Sequence, residues 1–138
     1  MTQMHTVVVI GGGSFGTVLA NIIANNNHST RLWLRDKKLA MVMQDSGYNP
    51  RYLPELKLHS LLQITTCLAS ALDRADTVIF AVPSQAFRCV LEQARQYILP
   101  KQYLITTTKG IEAGHFLLMS QVLEIFFPTH AIGVLSGP

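Results

Sequence analysis

Hydrophobic and polar positions follow two different patterns along this chain. Short continuous apolar runs, rich in β-branched residues, recur between longer stretches in which apolar residues return every three or four positions. The continuous runs are typical of strands buried on both faces of a sheet, and the longer stretches are typical of amphipathic helices. The chain is therefore predicted to alternate strands and helices, as parallel sheets covered by helices do.

The predicted strands and helices can be placed along the whole chain. Strands are predicted at 7–10, 30–34, 63–66, 77–82, 103–106 and 131–135, helices at 14–24, 37–44, 68–75, 84–97 and 115–127, and a loop at 45–54. Right-handed crossovers between such strands give an α/β fold with a doubly wound parallel sheet, the Rossmann fold, as a single domain over residues 1–138. Ligands of such sheets bind at the carboxyl ends of the strands, where the strand order reverses between the first and the fourth.

The glycine cluster after the first strand is the most informative segment. Gly11 can turn tightly, Gly13 has no Cβ and lets a pyrophosphate approach the backbone, and Gly16 lets the next helix pack close to the strand. Ser14 opens that helix and adds a donor where the helix dipole favours an anion. The same glycine spacing occurs in ordinary turns, but the strand before it and the helix after it favour a dinucleotide site.

Composition narrows the classes of partner. The chain has 138 residues, a net charge of +3 and only 14% charged residues, and its basic residues are scattered, so nucleic acid is not an expected partner. We find no apolar run of spanning length and no targeting segment, which makes the cytoplasm the expected compartment. Cys67 and Cys89 are expected to be reduced core residues, and the five histidines show no metal-ligand spacing, so no metal is expected.

Three charged residues follow predicted strands. Arg35 comes about twenty residues after the glycines, where an acidic side chain takes the ribose 2′-hydroxyl in NAD-selective sites. Arginine favours a 2′-phosphate there, whereas Asp36 would repel a phosphate or hold a ribose hydroxyl, so NADP and NAD both remain expected cofactors. Lys109 lies just past the fifth strand and could reach a polarised substrate oxygen. Solvated residues at strand ends are the alternative interpretation of Arg35 and Lys109.

Six segments, in this order, carry a resemblance that covers the whole chain: GGGSFGTVLA, LWLRD, NPRYLP, AVPSQAFRCVL, TTTKGIEAG and LSGP. Together they resemble the NAD(P)-dependent glycerol-3-phosphate dehydrogenases of bacterial type. The resemblance implies hydride transfer between a nicotinamide cofactor and the C2 carbonyl of dihydroxyacetone phosphate, giving sn-glycerol 3-phosphate for phospholipid synthesis. It also implies that Phe15 and Tyr52 border the cofactor, that Lys109 contacts cofactor and substrate, and that Gly137 offers its backbone to the substrate.

In that family a helical domain with the catalytic lysine follows the cofactor domain. We therefore expect this chain to be the amino-terminal part of the enzyme, truncated or isolated, which binds cofactor but contains no catalytic residue. The apolar segment 116–127 would then face the missing domain, and a homodimer of the full-length protein remains open. Two alternatives remain: another dehydrogenase with the same amino-terminal fold, or a regulatory module that senses NAD(P).

Overall fold

Six parallel strands form one sheet in the computed structural model, which describes residues 5–136. The strands are β1 (Thr6–Ile10), β2 (Ser29–Trp33), β3 (Gln63–Thr65), β4 (Thr77–Phe80), β5 (Tyr103–Thr106) and β6 (Ile132–Val134). Their order across the sheet is β3-β2-β1-β4-β5-β6. The order reverses between β1 and β4, so the predicted doubly wound sheet and its switch point are confirmed.

Helices cover both faces of this sheet. They are α1 (Ser14–Asn25), α2 (Lys37–Ser46), α3 (Leu68–Leu72), α4 (Ser84–Ala94) and α5 (Met119–Phe126), and a 3-10 turn at Arg95–Tyr97 extends α4. Within β1, Val7 and Val9 belong to the apolar cluster with α1 and α2, whereas Val8 and Ile10 belong to the cluster with α3, α4 and α5. The uninterrupted apolar run is therefore buried on both faces, as predicted.

Helix α3 is shorter than predicted, ending at Leu72 rather than at residue 75. The chain turns after it, and Arg74 adopts a positive φ of 56°. Arg31 on β2 meets this helix end, where its Nη1 donates to the carbonyl oxygens of Ala71 at 2.8 Å and Asp73 at 2.6 Å. A cation at a helix carboxyl terminus stabilises the end of the helix. Because Arg31 lies far earlier in the chain, the local pattern could not reveal this contact.

The predicted helix over 115–127 is wrong in its first turn, because α5 begins only at Met119. Phe116 has a positive φ of 55° and lies in the preceding loop, with its side chain 83% exposed. The Glu112 N–H donates to the Leu117 carbonyl oxygen at 2.7 Å, which holds this segment in a turn. Gln121 then caps α5 by accepting a hydrogen bond from the Leu118 N–H at 2.8 Å. A turn over 112–117 therefore replaces the first helical turn that the apolar composition predicts.

Both cysteines are exposed, so their expected place in the core is wrong. On α4 the buried face consists of Phe87, Val90, Leu91 and Ala94, and Cys89 lies on the other side of the helix. Within residues 5–136, no helix is long and apolar enough to cross a membrane. The same described residues contain no group of three side chains able to hold a metal ion.

Candidate functional site

A cleft of about 1490 Å³ lies at the carboxyl ends of the strands, around the switch point between β1 and β4. Its wall combines segments that are far apart in the sequence. They are the glycine turn 11–16, the end of β2 at 33–36, loop residues 51–52, the β4–α4 junction 81–86, the loop 107–109, and residues 135–136. The lining residues follow the carboxyl ends of the strands, where ligand sites of such sheets are predicted to lie. Of the predicted site residues, Gly137 lies outside the described part of the chain.

The three motif glycines have different roles in the turn. A Cβ on Gly11, whose φ is 128°, would lie 2.2 Å from the Ala81 carbonyl oxygen, and a Cβ on Gly16 would lie 2.1 Å from the Gly11 carbonyl oxygen. These two positions allow the backbone of β1 to pass close to β4 and to α1. A Cβ on Gly13 would meet no atom within 4 Å. The packing of the protein itself therefore does not require glycine at position 13, and the missing side chain leaves open space at the cleft.

The amino terminus of α1 faces this room without a side-chain cap. Gly13 is the cap residue, and the first turn closes through the Thr17 N–H, which donates to the Gly13 carbonyl oxygen at 3.0 Å. The first N–H groups of a helix have no acceptor within the helix, and they attract anions together with the helix dipole. Ser14 and Phe15 are both exposed and line the cleft. This end of α1 is suited to a phosphate group.

Helix α2 continues to Ser46, so the loop begins two residues later than predicted, and Asn49 attaches it to the glycine turn. Its side chain is fully buried, and Nδ2 donates to the Gly12 carbonyl oxygen and to the Thr17 Oγ1, both at 3.0 Å. Its Oδ1 accepts a hydrogen bond from the Tyr52 N–H at 3.3 Å. The same loop thereby places Tyr52, 47% exposed, at the cleft. Sequence reasoning missed Asn49, because its partners lie more than thirty positions away.

Arg35 and Asp36 occupy the rim after β2, as predicted, and a second arginine joins them. Asp36 caps α2: its Oδ1 accepts from the Leu39 N–H at 3.0 Å. Its Oδ2 accepts from the Arg51 Nη2 at 2.9 Å, and all three charged residues line the cleft. The Leu39 hydrogen bond and then the Arg51 guanidinium hold the pKa of Asp36 below its ordinary value. Arg51 belongs to the NPRYLP segment, but nothing in the sequence pattern predicts it as a site residue.

The loop after β5 brings Lys109 to the opposite side of the cleft. The Thr107 N–H donates to the Phe80 carbonyl oxygen at 2.9 Å, and the Thr108 Oγ1 donates to the Val82 carbonyl oxygen at 2.6 Å. These bonds fix the start of the loop to the end of β4. Lys109 lines the cleft with an exposed side chain. Its predicted place at a strand end is confirmed, whereas its contacts with ligands stay predictions.

Trp33, the last residue of β2, is another part of the wall that sequence reasoning missed. Its side chain is 5% exposed, and its buried Nε1 has no hydrogen-bond partner among the described residues. Trp33 therefore contributes to the wall through its position at the end of β2. Open space at Gly13 and an uncapped helix end together fit a ligand with phosphate groups.

Comparison with known proteins identifies the family. A family model described as the N-terminus of NAD-dependent glycerol-3-phosphate dehydrogenase matches residues 6–138. The chain belongs to this family. Among curated relatives, the glycerol-3-phosphate dehydrogenases (NAD(P)+) of Teredinibacter turnerae and Saccharophagus degradans are each 49% identical to it over 138 residues. A solved glycerol-3-phosphate dehydrogenase from Coxiella burnetii covers 98% of the chain, with 30% identity and a TM-score of 0.92.

The family members are considerably longer than this chain. The two sequence matches cover all of this chain but only 41% of the Teredinibacter protein and 38% of the Saccharophagus protein. The structural match covers only 41% of the Coxiella protein. The resemblance predicted from the sequence motifs is confirmed, as is the Rossmann architecture. The chain thus corresponds to the amino-terminal part of glycerol-3-phosphate dehydrogenases.

Proposed function

We propose that this chain binds NADP or NAD and forms the cofactor-binding part of a glycerol-3-phosphate dehydrogenase. The observation that supports this best is the uncapped amino terminus of α1 at the cleft, next to the open space at Gly13. Family membership supports the same class of ligand. When bound, a nicotinamide dinucleotide would donate or accept the hydride of the reaction.

The chain's own residues would bind and orient this cofactor. The backbone N–H groups of Ser14, Phe15 and Gly16 lie in the first turn of α1 and would donate to the pyrophosphate. Gly11 would allow the tight turn before α1, and Gly13 would leave the approach to those N–H groups open. At the rim of the cleft, a larger set would contact the rest of the cofactor: Arg35, Asp36, Tyr52 and Lys109.

For the complete protein, we propose interconversion of dihydroxyacetone phosphate and sn-glycerol 3-phosphate in phospholipid synthesis. Lys109 would contact the substrate, and Gly137 would do so through its backbone. A carboxy-terminal helical domain would supply the catalytic lysine, in keeping with the greater length of the relatives. We further propose a cytoplasmic location, with which the two free thiols are compatible, and a homodimer for the full-length protein.

A titration of the chain with NADPH and NADH tests this proposal. Trp33, the one tryptophan, lines the cleft, so its fluorescence reports on binding, and calorimetry gives an independent dissociation constant. Gly13→Ala puts a methyl group into space that the fold leaves open, at a backbone φ of −73° that alanine adopts without strain. We expect this variant to weaken both dinucleotides about tenfold or more, with a change in stability under about 0.5 kcal/mol.

Gly133→Ala is the matched control. Gly133 lies on β6, and its Cβ would meet Ile105 Cγ1 at an ordinary 3.5 Å. This variant should bind both dinucleotides like the unsubstituted chain. If the folded, unsubstituted chain binds neither dinucleotide, or if Gly13→Ala binds them as tightly as the control, the proposed site is wrong.

A further inference from the structure

The corner of the cleft after β2 contains an ion pair that the glycine motif does not predict. Arg51 comes from the loop after α2 and Asp36 from the start of α2, and their side chains meet at 2.9 Å. Arg35 lines the same corner. The position directly after the second strand is where a Rossmann site distinguishes a ribose 2′-hydroxyl from a 2′-phosphate. The ion pair therefore lies where the choice between NAD and NADP is made.

Asp36 by itself would oppose a 2′-phosphate. Each of its two carboxylate oxygens accepts one hydrogen bond, one from the Leu39 N–H and the other from Arg51. With Arg51 in place, the corner formed by Arg35, Asp36 and Arg51 carries one net positive charge. Without Arg51, the negative charge of Asp36 would offset that of Arg35. A fixed carboxylate close to an incoming dianion is repulsive even when solvent weakens the interaction.

The pairing also reduces the number of acceptor sites that Asp36 can offer to a ribose hydroxyl. A carboxylate has about four acceptor sites, and here a backbone N–H and a guanidinium use one on each oxygen. The Arg51 guanidinium has five N–H donors and uses one of them for Asp36 in this contact. The corner therefore combines unused guanidinium donors with a carboxylate whose charge is offset by Arg51.

We propose that Arg51 sets the cofactor preference of this site by neutralising Asp36, so that the corner accepts a 2′-phosphate and prefers NADPH to NADH. This inference rests on the proposed dinucleotide site. It adds a specificity-determining residue from a loop outside the glycine motif. Arg51 acts through Asp36, so removing the charge of Asp36 should make Arg51 dispensable for NADPH binding.

A double-mutant cycle on the 138-residue chain tests the inference, with dissociation constants for NADPH and NADH as the readout. Arg51→Gln should raise the NADPH constant about tenfold and the NADH constant less than about threefold. Asp36→Asn keeps the cap of α2, because asparagine caps helices as well as aspartate does. The double variant should bind NADPH within about threefold of the unsubstituted chain.

Two further variants separate charge from folding. Arg51→Lys keeps the positive charge and should retain most of the NADPH affinity. Lys101→Gln makes the same change in net charge at an exposed position before β5, at the opposite end of the strands, and should leave both constants unchanged. Asp36→Asn alone should strengthen NADPH binding a few-fold without strengthening NADH binding, which tests the same charge argument with Arg51 intact.

The outcomes distinguish this inference from the function on which it rests. Equal losses of NADPH and NADH in Arg51→Gln, or a double variant that still binds NADPH weakly, would overturn the role of Arg51 while leaving the dinucleotide site intact. If the unsubstituted chain binds NADH at least as tightly as NADPH, the proposed role of Arg51 is likewise wrong, while the dinucleotide site remains. If that chain binds neither dinucleotide, the proposed function fails, and this inference fails with it.

Discussion

The side chain of Asn49 joins the glycine turn to the loop that follows α2. It is fully buried and donates to the Gly12 carbonyl oxygen and to Thr17. Its removal would take one hydrogen bond from each of these groups and free the loop that carries Arg51 and Tyr52 at the cleft. At this scale, one amide links the stability of the fold to the shape of the site.

Asn49→Ala is therefore expected to lower the free energy of unfolding by about 2 kcal/mol, since it removes three hydrogen bonds that each contribute about 0.5–1.5 kcal/mol. It should also weaken NADPH binding. Urea unfolding and the fluorescence titration measure the two effects. Asn25→Ala, at the exposed end of α1, is the control and should not reduce either quantity. Equal stability of the two variants would show that the Asn49 bonds contribute nothing.

Local sequence explains why some of these residues were predictable. The packing role of Gly16 was predictable because it approaches the Gly11 carbonyl oxygen within one β–α unit. The approach of Gly11 to the Ala81 carbonyl oxygen depends on a distant strand and has no local signal. Asn49 and Arg51 were missed because their roles depend on Gly12, Thr17 and Asp36, which lie far away in the chain. A loop asparagine or arginine has no periodic signal that marks it.

Among the structural elements, the loop between β5 and α5 is fastened to α4 by a salt bridge. Arg88 donates from Nε and Nη2 to the two carboxylate oxygens of Glu112, each at 2.8 Å. The Glu112 side chain is only 12% exposed, and the His115 Nδ1 lies 2.9 Å from its Oε1. The same loop carries Lys109, so this salt bridge holds one side of the cleft to the helix that starts at the β4 rim.

Stability should depend on pH through this salt bridge. The Arg88 hydrogen bonds hold the pKa of Glu112 below its ordinary value of 4.5, and a protonated His115 would act in the same direction. A carboxylate with a lowered pKa in the folded state stabilises the protein above its unfolded value and loses that effect as the pH falls through the folded value. The contribution should therefore persist to about pH 4.5 and vanish below it.

Glu112→Gln tests this expectation. The variant should be less stable than the unsubstituted chain at neutral pH, and the difference should shrink as the pH falls below about 4.5. Urea unfolding at a series of pH values measures it. Glu124→Gln, at an exposed position of α5, should show no such dependence. A Glu112→Gln difference that stays constant down to strongly acid pH would contradict the role of the carboxylate charge.

For the whole molecule, the cleft joins elements from both halves of the sheet, so a bound cofactor should stabilise the entire domain. NADPH at a hundred times its dissociation constant should add about 2.7 kcal/mol to the free energy of unfolding, since it binds only the folded state. For a domain of this size, that corresponds to a rise in Tm of roughly 10 °C. Scanning calorimetry with and without NADPH measures the shift.

Gly13→Ala provides the comparison for that measurement. At the same NADPH concentration its Tm should rise much less, while its Tm without ligand should match that of the unsubstituted chain. A similar rise in both proteins would mean that NADPH binds elsewhere than at the glycine turn.

The sequence by itself determined the α/β order, the six strands and the position of the glycine turn. Strands buried on both faces require continuous apolar runs, and a tight β–α turn requires glycine, so both features are written locally in the chain. Only the tertiary structure decided that 115–118 forms a loop, that Cys89 faces outward, and that Arg51 pairs with Asp36. Those outcomes depend on contacts between residues distant in sequence, or on which side of a helix meets the sheet, and composition alone does not specify either.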